Sequence, residues 1–434
     1  MGNRTHWGRV LGWAAYLACS WTWCIGMFLP VLLVRDYGVW GFIVFAIPNC
    51  LGAAVSGIAM GDSRERFLSV HGPAATWFSL VTIAFQAFFL GWMLTWAPPV
   101  SLIFLVVSLL CLPSLFKWKG IWQRTVVVGV IAMVLTVVAF ALNLAERQVA
   151  LPSRVEPLTP EPLSLAPVCA LGFALCPYLD LTFWRARGML PGSLGSRAFQ
   201  LAFLLFFPVC ILFSLAYAQL LGAPEGLKTL HIAPGTAPVL LAGHIIVQLV
   251  VTVCFHLIEV RVSAQERRIP APFSPRTAAF VAAALVSGSV ILGFIGAFGD
   301  TPHTGIAFNE SVYRVFMGFY GLFFPAYMWL CVMPTWRSWA PVPRRNRLVC
   351  GLACAVAAPF FWTGFVERHE IWLLPGVGLV ILARVLTVGP GSPPKDPDSG
   401  EPPEPSGAPV LVPSGPPSLS ARAAPDRDPP GDRP

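Results

Sequence analysis

His244, Gln248, Thr252 and His256 recur at every fourth residue through an otherwise apolar stretch, with Glu259 just beyond. Residues at i and i+4 are neighbours on one helix face, so the four form a single polar stripe. Turning it to lipid would cost roughly several kcal/mol, so it must face other helices. Two chemistries fit. The imidazoles exchange protons near neutral pH and would serve as a relay, or the stripe is interhelical hydrogen bonding that holds the bundle together. Asp180 poses the same question. A carboxylate inside an apolar segment is costly and marks function by default. It would serve a cationic substrate or a coupling proton, or it would pair with Arg185 or Arg187 and lock a helix end.

Two further stretches carry no charge yet interrupt the backbone. The run Ser20-Trp21-Thr22-Trp23-Cys24-Ile25-Gly26-Met27-Phe28-Leu29-Pro30 and the run Gly172-Phe173-Ala174-Leu175-Cys176-Pro177-Tyr178-Leu179-Asp180 each place glycine and proline inside a hydrophobic segment. Hydrocarbon offers no water to replace a lost hydrogen bond, so such interruptions demand a reason. They are either architectural kinks or the place where freed backbone meets a ligand. Ser79, Thr82 and Gln86 form a weaker polar stripe, and Tyr313, Tyr320 and Tyr327 share one face at heptad spacing; helix packing accounts for both as readily as a cavity does. Trp21, Trp23, Phe28 and Phe173 could stack on a planar ring or hold a cation.

Elements that position these residues follow from composition. The 434-residue chain is 56% hydrophobic and 12% charged, with a mean hydropathy of +0.69. Soluble domains carry about 25% charge, so the chain is a membrane protein by composition. Its net charge of +8 argues for topology and not for nucleic acid, because the basic residues lie in short loops between apolar runs. The 11 cysteines are scattered through apolar runs with no Cys-x-x-Cys pair, which fits reduced core residues and neither a disulfide frame nor a metal site. A spanning helix needs about 20 apolar residues, which predicts about twelve all-α segments near 9–34, 38–60, 75–96, 98–116, 124–146, 163–184, 198–221, 236–260, 277–299, 310–334, 347–366 and 370–388. The first is too long for a cleaved signal peptide. With both termini inside, every cytoplasmic loop carries Arg or Lys and the external loops carry far fewer, as the positive-inside rule requires. Residues 1–388 are thus one transmembrane domain. Residues 389–434 are proline-rich, nearly free of aromatics and predicted to be a disordered cytoplasmic tail.

The interruptions then fall in the first and sixth helices. An offset of five makes the two helices run in opposite directions, as in an inverted repeat of five helices followed by two more. Transporters built this way bind their solute near the bilayer midplane between broken helices. On the paired breaks and this topology the chain resembles the amino acid–polyamine–cation superfamily, which shares the leucine-transporter fold. The run Met27-Phe28-Leu29-Pro30 through Asp36-Tyr37-Gly38, with Ile47-Pro48-Asn49-Cys50-Leu51-Gly52-Ala53, is most similar to sodium:solute and nucleobase:cation symporters. The resemblance implies a symporter-like secondary transporter of a small organic solute. It implies a substrate site at Trp21, Cys24, Gly26, Phe28, Gly172, Phe173 and Cys176. Sodium-coupled relatives carry adjacent hydroxyls in the eighth helix, whereas here Thr252 stands between Val251 and Val253. Coupling is accordingly by Na+ or H+, with Asp180, His244, Gln248, Thr252 and His256 as the candidate groups.

Three other readings compete with this one. A major-facilitator transporter would carry a Gly-x-x-x-Asp motif after its second helix; the spacing from Gly57 to Asp62 is one residue too long. An integral-membrane enzyme would need clustered catalytic groups, and neither His-Glu-x-x-His nor Gly-x-Ser-x-Gly occurs; His231, Asp300 and His303 are too dispersed. A non-transporting receptor or scaffold of the same fold is the remaining alternative. No cofactor or resident metal is expected.

Overall fold

Packing, not hydropathy, explains why the helices turn the faces they do. In Ile121–Ala145, the buried positions are Ile121, Thr125, Gly129, Ala132, Met133, Thr136, Ala139 and Asn143. The opposite face exposes Val127, Val130, Ile131, Val134, Val137 and Val138. Past the first residue, Ile121, and apart from Met133, small and polar residues point in while large aliphatic ones point out. That is the pattern of a helix with lipid on one side, where close backbone approach and interhelical hydrogen bonds drive association.

The computed structural model describes residues 2–387 apart from 62, 98, 118, 156, 191, 223–234, 266–274, 300–306 and 337–339. The proposed tail, His231, Asp300 and His303 lie outside the described residues, as do Lys228, Arg267, Arg268 and Arg337. The helices are α1 Gly2–Trp21, α2 Cys24–Ala59, α3 Arg64–Met93, α4 Leu102–Leu115, α5 Ile121–Ala145, α6 Pro160–Leu175 and α7 Leu181–Met189. They continue as α8 Ser193–Leu221, α9 Thr236–Gln265, α10 Pro275–Gly296, α11 Phe308–Thr335, α12 Arg344–Phe365 and α13 Glu370–Thr387. Among the described residues nine helices are long and apolar enough to cross a membrane. The chain is an all-helical integral membrane protein.

Several expected boundaries move. The third helix begins at Arg64, not near residue 75. Pro73 sits inside it, and Phe67, Leu68 and His71 are buried while Arg66 and Ser69 face outward. One buried face through this polar stretch is enough to hold it helical. The break expected between residues 34 and 38 is a kink within α2, at Gly38, whose φ of 62° only glycine adopts readily. Two helices carry π-turns, α8 at Ala202–Phe206 and α11 at Phe319–Phe323 and Met328–Val332.

The tightest crossing joins α3 to α10. A Cβ on Gly293 would lie 1.9 Å from the Phe88 carbonyl oxygen, and one on Gly91 would lie 2.1 Å from that of Val290. Neither backbone can yield without separating the helices. Gly288, on the same α10 helix, has nothing within 4 Å of that position. Gly293→Val should therefore lower stability by about 1–3 kcal/mol through overpacking, read as a lower thermal midpoint in detergent. Gly288→Ala should leave the midpoint at or above wild type, and equal midpoints for the two variants would refute this account of the crossing.

Candidate functional site

Both interrupted segments are broken, and the first break falls a few residues before the glycine and proline that drew notice. The helix stops at Trp21, and only Thr22 and Trp23 leave it, Trp23 with an extended ψ of 177°. Gly26 and Pro30 are already inside α2. Pro30 has no N–H to give to the Gly26 carbonyl one turn back, so the disturbance it causes is separate from the break at Thr22 and Trp23. The Thr22 hydroxyl donates to the Ala18 carbonyl at 2.7 Å, and the Trp23 indole donates to the Ser20 carbonyl. The Thr252 hydroxyl donates to the Cys19 carbonyl at 3.1 Å. The Cys24 amide donates to Gln86 Oε1 at 3.1 Å, and Tyr313 donates to the Cys24 carbonyl at 2.9 Å. Gln86 of α3 and Thr252 of α9 thus bond backbone groups at the break, the Cys24 amide and the Cys19 carbonyl, and Tyr313 of α11 adds a bond to the carbonyl of the first residue of α2.

At the second break α6 passes into a 3-10 turn, Cys176–Leu179, and then an extended residue, Asp180. Pro177 lacks the N–H that would continue the α-helical ladder. Asp180 is the N-cap of α7: its Oδ1 accepts from the Thr182 amide at 2.8 Å and from the Thr182 hydroxyl at 2.7 Å. A carboxylate is well placed at a helix N-terminus, where the backbone dipole favours negative charge. Arg185 is paired elsewhere, 3.0 Å from Glu259, with its guanidinium 4.1 Å above the Trp122 ring. Arg187 binds the Leu190 and Gly192 carbonyls. The ion pair of Asp180 with either arginine is therefore not the arrangement found. Its Oδ2 is buried with no hydrogen-bond partner.

The breaks meet. Thr182 Oγ1 lies 3.1 Å from Ser20 Oγ, so one hydroxyl pair joins them. The two broken segments run antiparallel: Arg9 donates to the Met189 carbonyl at 2.9 Å, Ser20 meets Thr182, and Leu33 shares a cavity wall with Leu165. As one number rises along the first segment, the other falls along the second.

That cavity is narrow, with about 80 Å³ of free volume, and opens at one mouth. Trp21, Trp23, Phe173 and Tyr320 form much of its floor, with Gly172 and Cys176 of the second break. Trp21 donates its indole N–H to Asn49 at 2.7 Å, and Tyr320 shares a hydrogen bond with Thr82 at 3.0 Å. At the mouth stand Asp36, Tyr37, Arg314 and Glu370. Asp36 is bonded to Arg35 at 2.8 Å, Arg314 at 2.8 Å and Arg368 at 2.9 Å. Glu310 binds Arg35 at 2.7 Å and Arg314 at 2.8 Å, and Tyr37 donates to Glu370.

Of the expected substrate residues, Trp21, Gly172, Phe173 and Cys176 line the cavity, and Cys24, Gly26 and Phe28 do not. Cys24 acts through its backbone. Gly26 faces the Phe207 ring, which a Cβ would meet at 3.4 Å. Phe28 packs among Phe89, Trp92, Trp96 and Tyr313. The α9 stripe is buried as expected but divides by partner. His244 bonds Thr136 of α5 at 2.9 Å and packs on Phe213, while Gln248 bonds Thr136 at 3.0 Å and the Cys19 thiol at 3.6 Å. Thr252 and His256 face the first break, His256 bonding Ser79 at 3.2 Å with its ring edge-on to Trp23. The charged mouth and Asn49 were missed. Glu310 and Arg314, four apart near the start of an apolar helix, were a visible signal.

Thr182→Val removes the hydroxyl that serves both Asp180 and Ser20 while keeping the side chain's shape. Leaving buried acceptors without that donor should cost about 1–3 kcal/mol, read as a lower thermal midpoint, and Thr182→Ser should restore most of it. A Thr182→Val protein as stable as wild type would show that the hydroxyl link between the breaks carries no energy. No protein-family model matches the chain, and no curated protein sequence matches it.

Proposed function

We propose that the protein is a secondary active transporter that moves a small organic solute by alternating access around its two broken helices. One observation carries the reading: two antiparallel segments break side by side, are joined through Ser20 and Thr182, and line one cavity. Discontinuous helices at a shared depth are how such transporters build a midplane site.

Helix pairings support the inverted repeat. If α3 and α4 correspond to α9 and α10, contact of α3 with α10 is exchanged by the repeat for contact of α9 with α4, and both pairs pack. The pairing of α3 with α9 maps onto itself. Likewise α1 against α5 is mirrored by α6 against α11. With α12 and α13 added, this is the five-plus-five-plus-two order of the leucine-transporter fold, and the kinked α2 supplies both the end of the first helix and the second. With both termini in the cytoplasm, the orientation that the basic residues favour, the Asp36–Arg314–Glu310 cluster closes the outer mouth. Its ion pairs tie α2 to α11, and opening toward the outside requires them to part.

Coupling falls to Asp180. The carboxylate caps α7, the half-helix whose movement would open the inner side, and its Oδ2 has no protein partner. A proton arriving there weakens the cap, which gives protonation a differential effect on two conformations. His244 is a packing residue in this reading, held against α5 away from the cavity.

Reconstituted into liposomes, the wild-type protein should accumulate its solute under an inward proton gradient. Asp180→Asn should retain solute binding and exchange but lose that dependence on the pH gradient. His244→Ala should keep it, with stability lowered by a buried partner's loss. Accumulation that follows sodium alone, or that still follows pH in Asp180→Asn, would overturn the proton assignment.

A further inference from the structure

Cys331, Cys350 and Cys354 meet where the C-terminal half of α11 packs on α12. The Cys350 thiol is in hydrogen-bonding contact with both of the others. Cys331 Sγ also lies 3.7 Å from the Asn346 carbonyl, one helical turn before Cys350. It therefore sits over the stretch of α12 from which the Cys350 side chain projects. Most of α12 faces outward, and its buried positions include Asn346, Cys350, Ala353, Cys354 and Ala357. Both of its thiols thus lie on the one face it gives to the bundle. Packing alone would be served there by alanine, as at Ala353 and Ala357. On α11, Cys331 belongs to the π-turn Met328–Val332, an insertion of a kind concentrated at functional sites.

Geometry selects which thiols can join. Cys350 and Cys354 are four residues apart on one helix, where Cβ atoms stand about 5–6 Å apart. A disulfide needs about 3.5–4.5 Å. Cys331 and Cys350 come from different helices and are free of that restraint. Cys331 is fully buried, whereas Cys350 is 8% exposed, so a small oxidant meets Cys350 first. Arg347, one turn before Cys350, lies within electrostatic reach of Cys331, and a nearby guanidinium stabilises negative charge on an attacking sulfur.

We propose that Cys331 and Cys350 are an oxidation site, at which a hydroperoxide forms a reversible disulfide that clamps α11 to α12. The Cys350 sulfur attacks one oxygen of hydrogen peroxide and the O–O bond breaks. The second oxygen takes up the thiol proton and leaves as water, and Cys350 is left as a sulfenic acid. The Cys331 sulfur then attacks the sulfenic sulfur. The S–S bond forms, the S–O bond breaks, and the departing hydroxide takes the Cys331 proton to become a second water. Two thiols have lost two electrons and two protons, and the peroxide is reduced to two waters. Exchange with a dithiol reverses the step. The site stands independently of what the cavity carries. Its effect is to hold α11, whose Tyr313 and Tyr320 line that cavity, against a helix outside the five-plus-five core.

The full chain carrying Cys111→Ser, which removes the exposed thiol, would be treated with hydrogen peroxide in detergent and then unfolded in N-ethylmaleimide. Digestion without reductant and mass spectrometry would map the products. The expected product joins the Cys331 and Cys350 peptides, is lighter than their sum by two hydrogens, and separates on adding dithiothreitol. Because a cross-link restricts the unfolded chain, peroxide should raise the thermal midpoint by a few degrees, and dithiothreitol should return it. Cys350→Ser should abolish both the cross-link and the rise, whereas Cys354→Ser should keep both. Cys350→Ala repeats the comparison without a hydroxyl on the buried face. A cross-link through Cys354 in place of Cys331 would overturn the pairing. Cys350 recovered as sulfinic acid beside a maleimide-labelled Cys331, or all three thiols labelled after peroxide, would overturn the site, and a cross-link that leaves the midpoint unchanged would overturn the clamp.

Discussion

A backbone that leaves the helix inside a membrane must be given new hydrogen-bond partners, and this constraint organises the molecule. Thr22 and Trp23 are the only residues lost from the first spanning path, yet meeting the demands of their surroundings draws on three other helices. Gln86 reaches from α3, Thr252 from α9 and Tyr313 from α11. Each unsatisfied group would cost several kcal/mol in hydrocarbon. The positions of α3, α9 and α11 around the first break are thus coupled to its chemistry through one residue of each polar stripe.

The second break is solved with fewer residues because its sequence is better suited to stopping a helix. Pro177 ends the ladder from one side, and Asp180 starts the next helix from the other. Capping by a carboxylate satisfies the Thr182 amide of α7 without help from a neighbouring helix. Contact between the breaks then needs only the Ser20–Thr182 hydroxyl pair. The two breaks contribute different side chains to the cavity wall: the indoles of Trp21 and Trp23 come from the first, and Gly172, Phe173 and Cys176 from the second.

Charge is distributed by the same logic. Arg35, Asp36, Glu310, Arg314 and Arg368 gather at one end of the cavity, where each carboxylate has at least two cationic partners. Toward the other end, Arg185 is held by Glu259 and by the face of Trp122. Buried ion pairs add little net stability over apolar packing but are costly to break one-sidedly. Such clusters hold two helices in one arrangement and release them only when all partners separate, which suits the ends of an alternating-access path.

The residues of the chain determined by themselves that it is helical and lies in a bilayer, and that two segments are interrupted. These are properties of composition and of local hydrogen-bond capacity: a proline cannot donate, and long apolar runs cannot be solvated. Residue types also placed Trp21, Gly172, Phe173 and Cys176 at the interruptions. Only the tertiary structure decided which side chains face the cavity. Gly26 and Phe28 follow Trp21 closely in the chain, but they lie on α2 beyond the break, where they point into packing against Phe207 and Trp92. Spacing alone likewise could not separate His244 from His256, which share a face yet meet α5 and the first break respectively. The mouth is the clearest case. Asp36, Glu310 and Arg368 are far apart in the chain, and their ion pairs exist only because folding brings α2, α11 and the turn before α13 to one place.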